Sequence, residues 1–269
     1  MSRAGRRPAH LQMEPTRPAV WLSAIVSPLI ELGGLSQDLV EAIEDAGELG
    51  RHEIREGQSI MRLLVFGASG QTGRELVRQA LAHQHSITAF VRQPPKLGDA
   101  PSGIRIVQGN VADYSAVEAT VAGHDAVVSA LGVGTPLKHD PDVIAGVENI
   151  VRAMQQHRVR RLIYLSFIGV RESRAAVGVI LRYIAPMPLR HEIADHEAKE
   201  ALVKASPLDW TIVRPPKLTN GPRTGQYRSG ADITTWVPLP RLARADVADF
   251  ILRELAQPQY VRQAPRVLP

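Results

Sequence analysis

The chain has 269 residues, 44% of them hydrophobic, which suits one large domain or two small ones and excludes a disordered or fibrous protein. Its 32 Lys and Arg against 27 Asp and Glu give a net charge of +5, but the basic residues are scattered. With four Phe, three Trp and five Tyr there is no stacking platform for single-stranded nucleic acid, so a nucleic-acid partner is not expected. Zero cysteines exclude disulfides, thiolate metal sites and a cysteine nucleophile.

Residues 1–60 carry 6 basic and 9 acidic groups, leaving 26 and 18 for residues 61–269, so the two parts differ in kind. The first 19 residues hold Arg3, Arg6, Arg7, Pro8, Pro15, Arg17 and Pro18 without an apolar period and read as a mobile arm. The apolar run over residues 20–30 contains Pro28 and falls far short of the roughly 20 residues that cross a bilayer. No small-x-small cleavage site follows Ile30 and the basic region is too long for a secretory signal, so the expected location is the cytoplasm, off the membrane. From Ser36, a candidate N-cap, Leu39, Ile43, Ala46 and Leu49 recur at helical spacing. This stripe could dock on the main domain or on a second copy in a homodimer, or be an appendage. Residues 1–60 are therefore read as an N-terminal extension, and Met61 as the start of the folded domain over 61–269.

Residues 62–66 read as a short parallel strand running into Gly67-Ala68-Ser69-Gly70-Gln71-Thr72-Gly73, followed by helical spacing of Leu76, Val77, Ala80 and Leu81. Strand, glycine turn and helix in this order predict a pyrophosphate site: Gly67 for the tight turn, Gly70 for close approach of backbone amides, Gly73 for packing of helix on strand. The helix N-terminus supplies free N–H groups and the positive end of its dipole. A nucleophile elbow would need glycine where Gln71 stands, and no Walker lysine follows.

The next strand, residues 86–91, ends at Arg92, where an NAD-preferring domain places an acid for the ribose hydroxyls. A guanidinium there suits a 2′-phosphate, with Lys96 near enough to help, so the expected cofactor is NADP(H). Strand 104–107, helix 114–121, strand 126–131, helix 143–155 and strand 162–167 continue the alternation, which predicts an α/β doubly wound parallel sheet. Asn110, Val111 and Asp113 follow the third strand where an adenine ring would lie. Ala130, Leu131 and Gly132 close the fourth with small residues beside the cofactor ribose. Expected contacts extend to Ser166, Phe167 and Pro215.

Together, Gly67-Ala68-Ser69-Gly70-Gln71-Thr72-Gly73, Phe90-Val91-Arg92, Gly109-Asn110-Val111-Ala112-Asp113 and Asp209-Trp210-Thr211-Ile212-Val213-Arg214-Pro215-Pro216 resemble the atypical short-chain dehydrogenase/reductases with an NAD(P)H-binding, NmrA-like Rossmann domain, over residues 61 to about 260. Pro215-Pro216-Lys217-Leu218-Thr219 followed by Pro222, Thr224-Gly225 and Tyr227 is similar to the substrate-side loop of the biliverdin reductase B / flavin reductase branch. The resemblance implies NADPH-dependent reduction of a planar conjugated acceptor such as a flavin, quinone or tetrapyrrole. Two departures stand out. That branch carries histidine where this chain has Lys217, and the dehydrogenase pair Tyr-x-x-x-Lys is absent at all five tyrosines.

Three residues are candidates for the chemistry. Ser166 ends the fifth strand and could bond the nicotinamide side, the acceptor or simply backbone. Lys217 sits on a proline-fixed loop and could bind an acceptor's carboxylate or phosphate, or be solvated. Tyr183, in a segment expected to overhang the site, could stack on a flat substrate. His191 and His196 are five apart and so point about 140° apart on a helix, and no metal site is expected. Residues 242–255, with Asp246 and Asp249, read as an amphipathic helix with one solvated face. The leading expectation is a reductase acting on a small-molecule acceptor. A non-catalytic NADP(H) sensor binding a protein partner is the alternative, and a sugar-nucleotide epimerase is disfavoured by the missing tyrosine and lysine.

Overall fold

The computed structural model describes residues 59–94, 103–132, 140–170, 173, 190–237 and 239–269, and the extension over residues 1–58 lies outside them. Its central element is strand β1 (Arg62–Phe66), where Leu63, Leu64, Val65 and Phe66 are all fully buried. Four buried residues in succession require cover on both faces, the signature of a parallel strand inside an α/β sheet. Helix α1 (Gln71–Ala82) and strands β2 (Ser86–Val91) and β3 (Ile104–Gln108) follow. Then come α2 (Tyr114–Val121), β4 (Ala126–Ser129), α3 (Pro141–Gln156) and β5 (Arg161–Leu165). Helix α4 (Arg190–Ala205) leads to β6 (Asp209–Val213).

The six strands form one parallel sheet in the order β3-β2-β1-β4-β5-β6. This is the doubly wound α/β arrangement, and the winding reverses between β1 and β4, where such sheets bind ligands. Alternate residues of β1 feed two cores. Leu63 and Val65 pack with Leu76, Val77, Val247 and Ile251 on one face. Leu64 and Phe66 pack with Val117, Val147, Ile150 and Met154 on the other. Helix α4 lies against α3.

Small strands complete the C-terminal part: β7 (Lys217–Thr219) pairs in parallel with β9 (Arg241–Ala243), and β10 (Arg266–Leu268) pairs antiparallel with β8 (Arg228–Gly230). Among the described residues no helix is long and apolar enough to cross a membrane.

The observed bounds differ from the sequence pattern in physical ways. Strand β4 ends at Ser129 and β5 at Leu165, each two residues early, because the chain there bends away to form a cavity wall. Helix α3 begins at Pro141, ahead of its apolar period, because the Asp140 side chain accepts from the Val143 N–H and proline suits the first turn.

The closing helix α5 (Arg244–Ala256) has no broad solvated face, contrary to the amphipathic expectation. Asp246 and Asp249 are buried because both fasten the preceding loop. Asp246 accepts from the Thr224 and Gly225 N–H groups at 2.7 and 2.8 Å and from the Thr224 hydroxyl. Asp249 accepts from Arg223 at 3.1 Å and from the Tyr227 hydroxyl at 2.7 Å.

Candidate functional site

A cavity of about 1060 Å³ opens along the carboxyl ends of the strands, at the point where the winding reverses. Gly67, Ser69, Gly70, Gln71 and Thr72 form one part of its wall. Gly67 has φ +79°, and a Cβ there would come within 2.5 Å of the Ala130 carbonyl oxygen. Gly73 and Ala68 stay behind this wall. A Cβ on Gly73 would sit 2.2 Å from the Gly67 oxygen, so α1 can approach β1 this closely only without a side chain. Gly70 is different: its φ of −72° is open to any residue, and its Cβ would meet only the Gly67 oxygen, at 3.2 Å.

Helix α1 has no side-chain cap and no acid in its first turn. Its first amides and the positive end of its dipole are therefore left for an anion, and the residues present fit a dinucleotide pyrophosphate.

At the β2 and β3 end the wall is Phe90, Val91, Arg92, Gln93, Asn110 and Val111. Arg92, just past β2, is exposed and lines the cavity there. Asn110 shapes its own turn, its side-chain oxygen accepting from the Ala112 N–H at 3.1 Å. Asp113 is placed elsewhere: it caps α2, accepting from the Ser115 and Ala116 N–H groups, and does not line the cavity. Lys96 lies outside the described residues.

Ala130, Leu131 and Gly132 line the middle of the cavity, and Ser166, Phe167, Pro216 and Lys217 line its far end. Pro215 is set back from it, its carbonyl accepting from the Ile168 N–H at 2.8 Å. Tyr183 lies outside the described residues. The loop carrying Pro222, Thr224-Gly225 and Tyr227 does not line the cavity either, because Asp246 and Asp249 hold it against α5. That part of the branch motif serves the scaffold.

The far end also contains groups that sequence reasoning passed over. The Ser166 hydroxyl donates to Glu200 Oε1 at 2.7 Å. Glu200 is fully buried and also pairs with the buried Arg214, whose Nε lies 3.0 Å from Oε1. His196 lines the cavity, and its Nδ1 lies 3.3 Å from the Tyr164 hydroxyl and 3.5 Å from Ser166 Oγ. Burial, with the Lys199 charge adding to it, pushes the His196 imidazole down to about 3, so it is neutral at physiological pH.

Lys199 is fully buried and its Nζ has no hydrogen-bond partner among the described residues. Burial lowers its pKa while Asp195, Asp140 and Glu192 oppose the shift. The signal for this cluster was present on α4: Ile193, His196, Glu200 and Val203 share one stripe, so two ionisable residues occupy positions whose neighbours are core.

Residues 67–258 match the family model described as NAD(P)H-binding. A chloroplast protein of Arabidopsis thaliana is 31% identical over 192 residues, and the match spans 66% of this chain and 66% of that protein. ChuY of Escherichia coli O157:H7, an anaerobilin reductase, superposes with a TM-score of 0.63 at 21% identity, covering 77% of this chain and 96% of that one. A short-chain dehydrogenase/reductase of Veillonella parvula, solved in complex with NADP, gives a TM-score of 0.64 at 20% identity, covering 78% and 95%. The cavity at the winding reversal, the uncapped α1 and the match over most of the folded part agree: the chain belongs to the NAD(P)H-binding family.

Proposed function

We propose that this protein is an NADPH-dependent reductase of a planar conjugated acceptor, a flavin, a quinone or a tetrapyrrole. The observation that carries the reading is the continuity of one cavity from the glycine turn to the wall of Ser166, Phe167, His196 and Lys217, with room for a second molecule beside the dinucleotide. When bound, the reduced nicotinamide supplies hydride. The chain supplies binding, orientation and shielding. The α1 amides and Arg92 hold the anionic end of the cofactor. Phe167, Leu218 and Pro216 give the far end an apolar lining suited to a flat ring system, and Lys217 stands where an acceptor's anionic group would meet a cation. Without a Tyr-x-x-x-Lys pair, an acceptor that takes its proton from water fits this site better than a simple ketone. ChuY, which shares the fold, is an anaerobilin reductase, so a bilin is one member of the panel to be tried.

The test is steady-state NADPH oxidation with a panel of flavins, quinones and bilins. Lys217→Ala is expected to raise KM for FMN and leave NADPH affinity unchanged. Tight NADPH binding with no turnover of any acceptor would reject the reductase reading in favour of a redox sensor.

A further inference from the structure

The hydrogen bonds around His196 fix more than its position. Each proton in the cluster can be assigned by elimination. Glu200, paired with Arg214, is an acceptor only, so the Ser166 hydroxyl proton 2.7 Å away belongs to that contact. Ser166 then has none left to donate to His196. The Tyr164 hydroxyl is fully buried, and among the described residues His196 Nδ1 is its hydrogen-bond partner. A buried O–H must donate, so Nδ1 accepts. With Nδ1 unprotonated in a neutral ring, the proton resides on Nε2. Nε2 makes no hydrogen bond to any described residue, and the ring lines the cavity, edge-on to Phe167 at 4.9 Å between centroids.

We infer that His196 is the hydrogen-bond donor of the acceptor site: a neutral imidazole whose Nε2–H binds the carbonyl oxygen of a conjugated acceptor. The inference rests on the reductase reading for the acceptor and on geometry alone for the tautomer. It narrows the substrate class to acceptors whose ring system ends in a carbonyl oxygen, such as a quinone, the flavin pyrimidine ring or the lactam of a tetrapyrrole. Reduction adds two electrons and a proton to the acceptor as hydride from the dihydronicotinamide, which is oxidised. Negative charge collects on the conjugated oxygen, and one proton from water then neutralises it.

The Nε2–H would strengthen its hydrogen bond as that charge grows, without giving up its proton. Relay of the Tyr164 proton through Nδ1 is disfavoured, because burial and the Glu200 and Asp195 charges push the tyrosine hydroxyl well above its ordinary range. Tyr164 is thus a positioning residue that selects the tautomer. The charged and titratable groups about the ring are Lys199, Glu200 and Asp195 of α4, Tyr164 of β5, and Arg214 after β6. None of these supplies a carboxylate directly to the imidazole that would favour its protonated form.

The test begins without any acceptor. Long-range proton–nitrogen correlation spectra of the full-length protein with NADP⁺ should show His196 with an acceptor-type Nδ1 and a protonated Nε2 from pH 5.5 to 8. Adding menadione, which cannot be reduced by NADP⁺, should shift the Nε2 signal. His196→Ala should lower kcat about 100-fold, the loss typical of one donor to a developing oxyanion, and His196→Gln, which keeps an N–H, should recover part of it. Tyr164→Phe, with His196 intact, should move the proton to Nδ1 and lower kcat as well, which a merely structural role would not do. An Nδ1–H tautomer or an imidazolium in the wild-type protein overturns the inference, as does wild-type kcat in folded His196→Ala. A menadione-dependent shift of Nε2 with no turnover of any acceptor supports the His196 assignment and rejects the reductase reading instead.

Discussion

The three glycines of the turn after β1 answer to different constraints, and substituting them one at a time separates scaffold from ligand site. In Gly73→Ala the new methyl would stand 2.2 Å from the Gly67 oxygen and 2.8 Å from the Ala68 Cα, both backbone atoms that cannot rotate away. Helix α1 would have to retreat from β1. The cost of overpacking, about 1–3 kcal/mol, is reduced by the roughly 1 kcal/mol by which alanine favours a helix over glycine. At roughly 2–4 °C per kcal/mol for a domain of this size, Tm should fall by up to about 8 °C, and NADPH binding should weaken with it.

Gly70→Ala is expected to behave otherwise. Its backbone conformation is ordinary, and its methyl meets only the Gly67 oxygen, at 3.2 Å. Alanine is a poorer N-cap than glycine by some tenths of a kcal/mol, while the stiffer unfolded chain returns a similar amount, so Tm should stay within about 2 °C. The methyl would project where backbone amides must approach a pyrophosphate, and NADPH should bind at least about tenfold more weakly, or roughly 1.4 kcal/mol. Thermal unfolding and titration calorimetry on both variants read the two effects separately. Wild-type affinity in Gly70→Ala would show that the turn is structural only, and a raised Tm in Gly73→Ala would refute the packing argument.

Three further outcomes are expected. NADPH should bind at least about tenfold more tightly than NADH, and Arg92→Asp should narrow or reverse the ratio by calorimetry, because a guanidinium matches a 2′-phosphate and a carboxylate matches ribose hydroxyls. Asp246→Ala removes the acceptor of the Thr224 and Gly225 N–H groups; it should speed amide exchange at both residues and lower Tm while leaving NADPH affinity unchanged. Below about pH 6.5 wild-type stability should fall more steeply than that of His196→Gln. The folded-state imidazole stays neutral down to about 3 while the unfolded one protonates, so a contribution present above 6.5 is lost as pH drops, about 2 kcal/mol by pH 5. His85 and His124, also lowered by burial, are common to both proteins and cancel in the comparison.

What the sequence made legible was local. The glycine turn, the four buried residues of β1 and the arginine ending β2 each declare themselves within a few positions, because strand, turn and helix geometry are set by near neighbours. The parallel doubly wound sheet could be anticipated from the βαβ alternation, since parallel strands need helical crossovers. Asp113 misled because one residue type serves two purposes: after a strand it suits a ligand contact, but just before Tyr114 it is an N-cap. Asp246 and Asp249 misled in another way. A carboxylate on a C-terminal helix suggests water, and only the fold shows that the N–H and hydroxyl groups of residues 223–227 take its place.

The cluster on α4 was hidden for a deeper reason. Glu192, Asp195, Lys199 and Glu200 in one helix look like a solvated face, and burying such groups is costly unless partners meet them. Glu200 finds them in Ser166, 34 positions earlier, and Arg214, 14 positions later, and Asp195 finds one in the Asp140 N–H, while Tyr164 meets His196 of the same helix. Parallel pairing of β5 with β6 puts Leu165 beside Val213, so the residue just past each strand, Ser166 and Arg214, arrives at the same carboxyl edge, and α4 between them supplies Glu200. The motif Asp209-Trp210-Thr211-Ile212-Val213-Arg214-Pro215-Pro216 thereby acquires a physical meaning beyond resemblance. Its arginine pairs with the carboxylate that accepts the serine hydrogen bond, and the proline pair after it leads the chain to the cavity wall at Pro216 and Lys217. The order of these constraints runs from Arg214 to Glu200 to Ser166, and with Tyr164 it leaves His196 a single way to carry its proton.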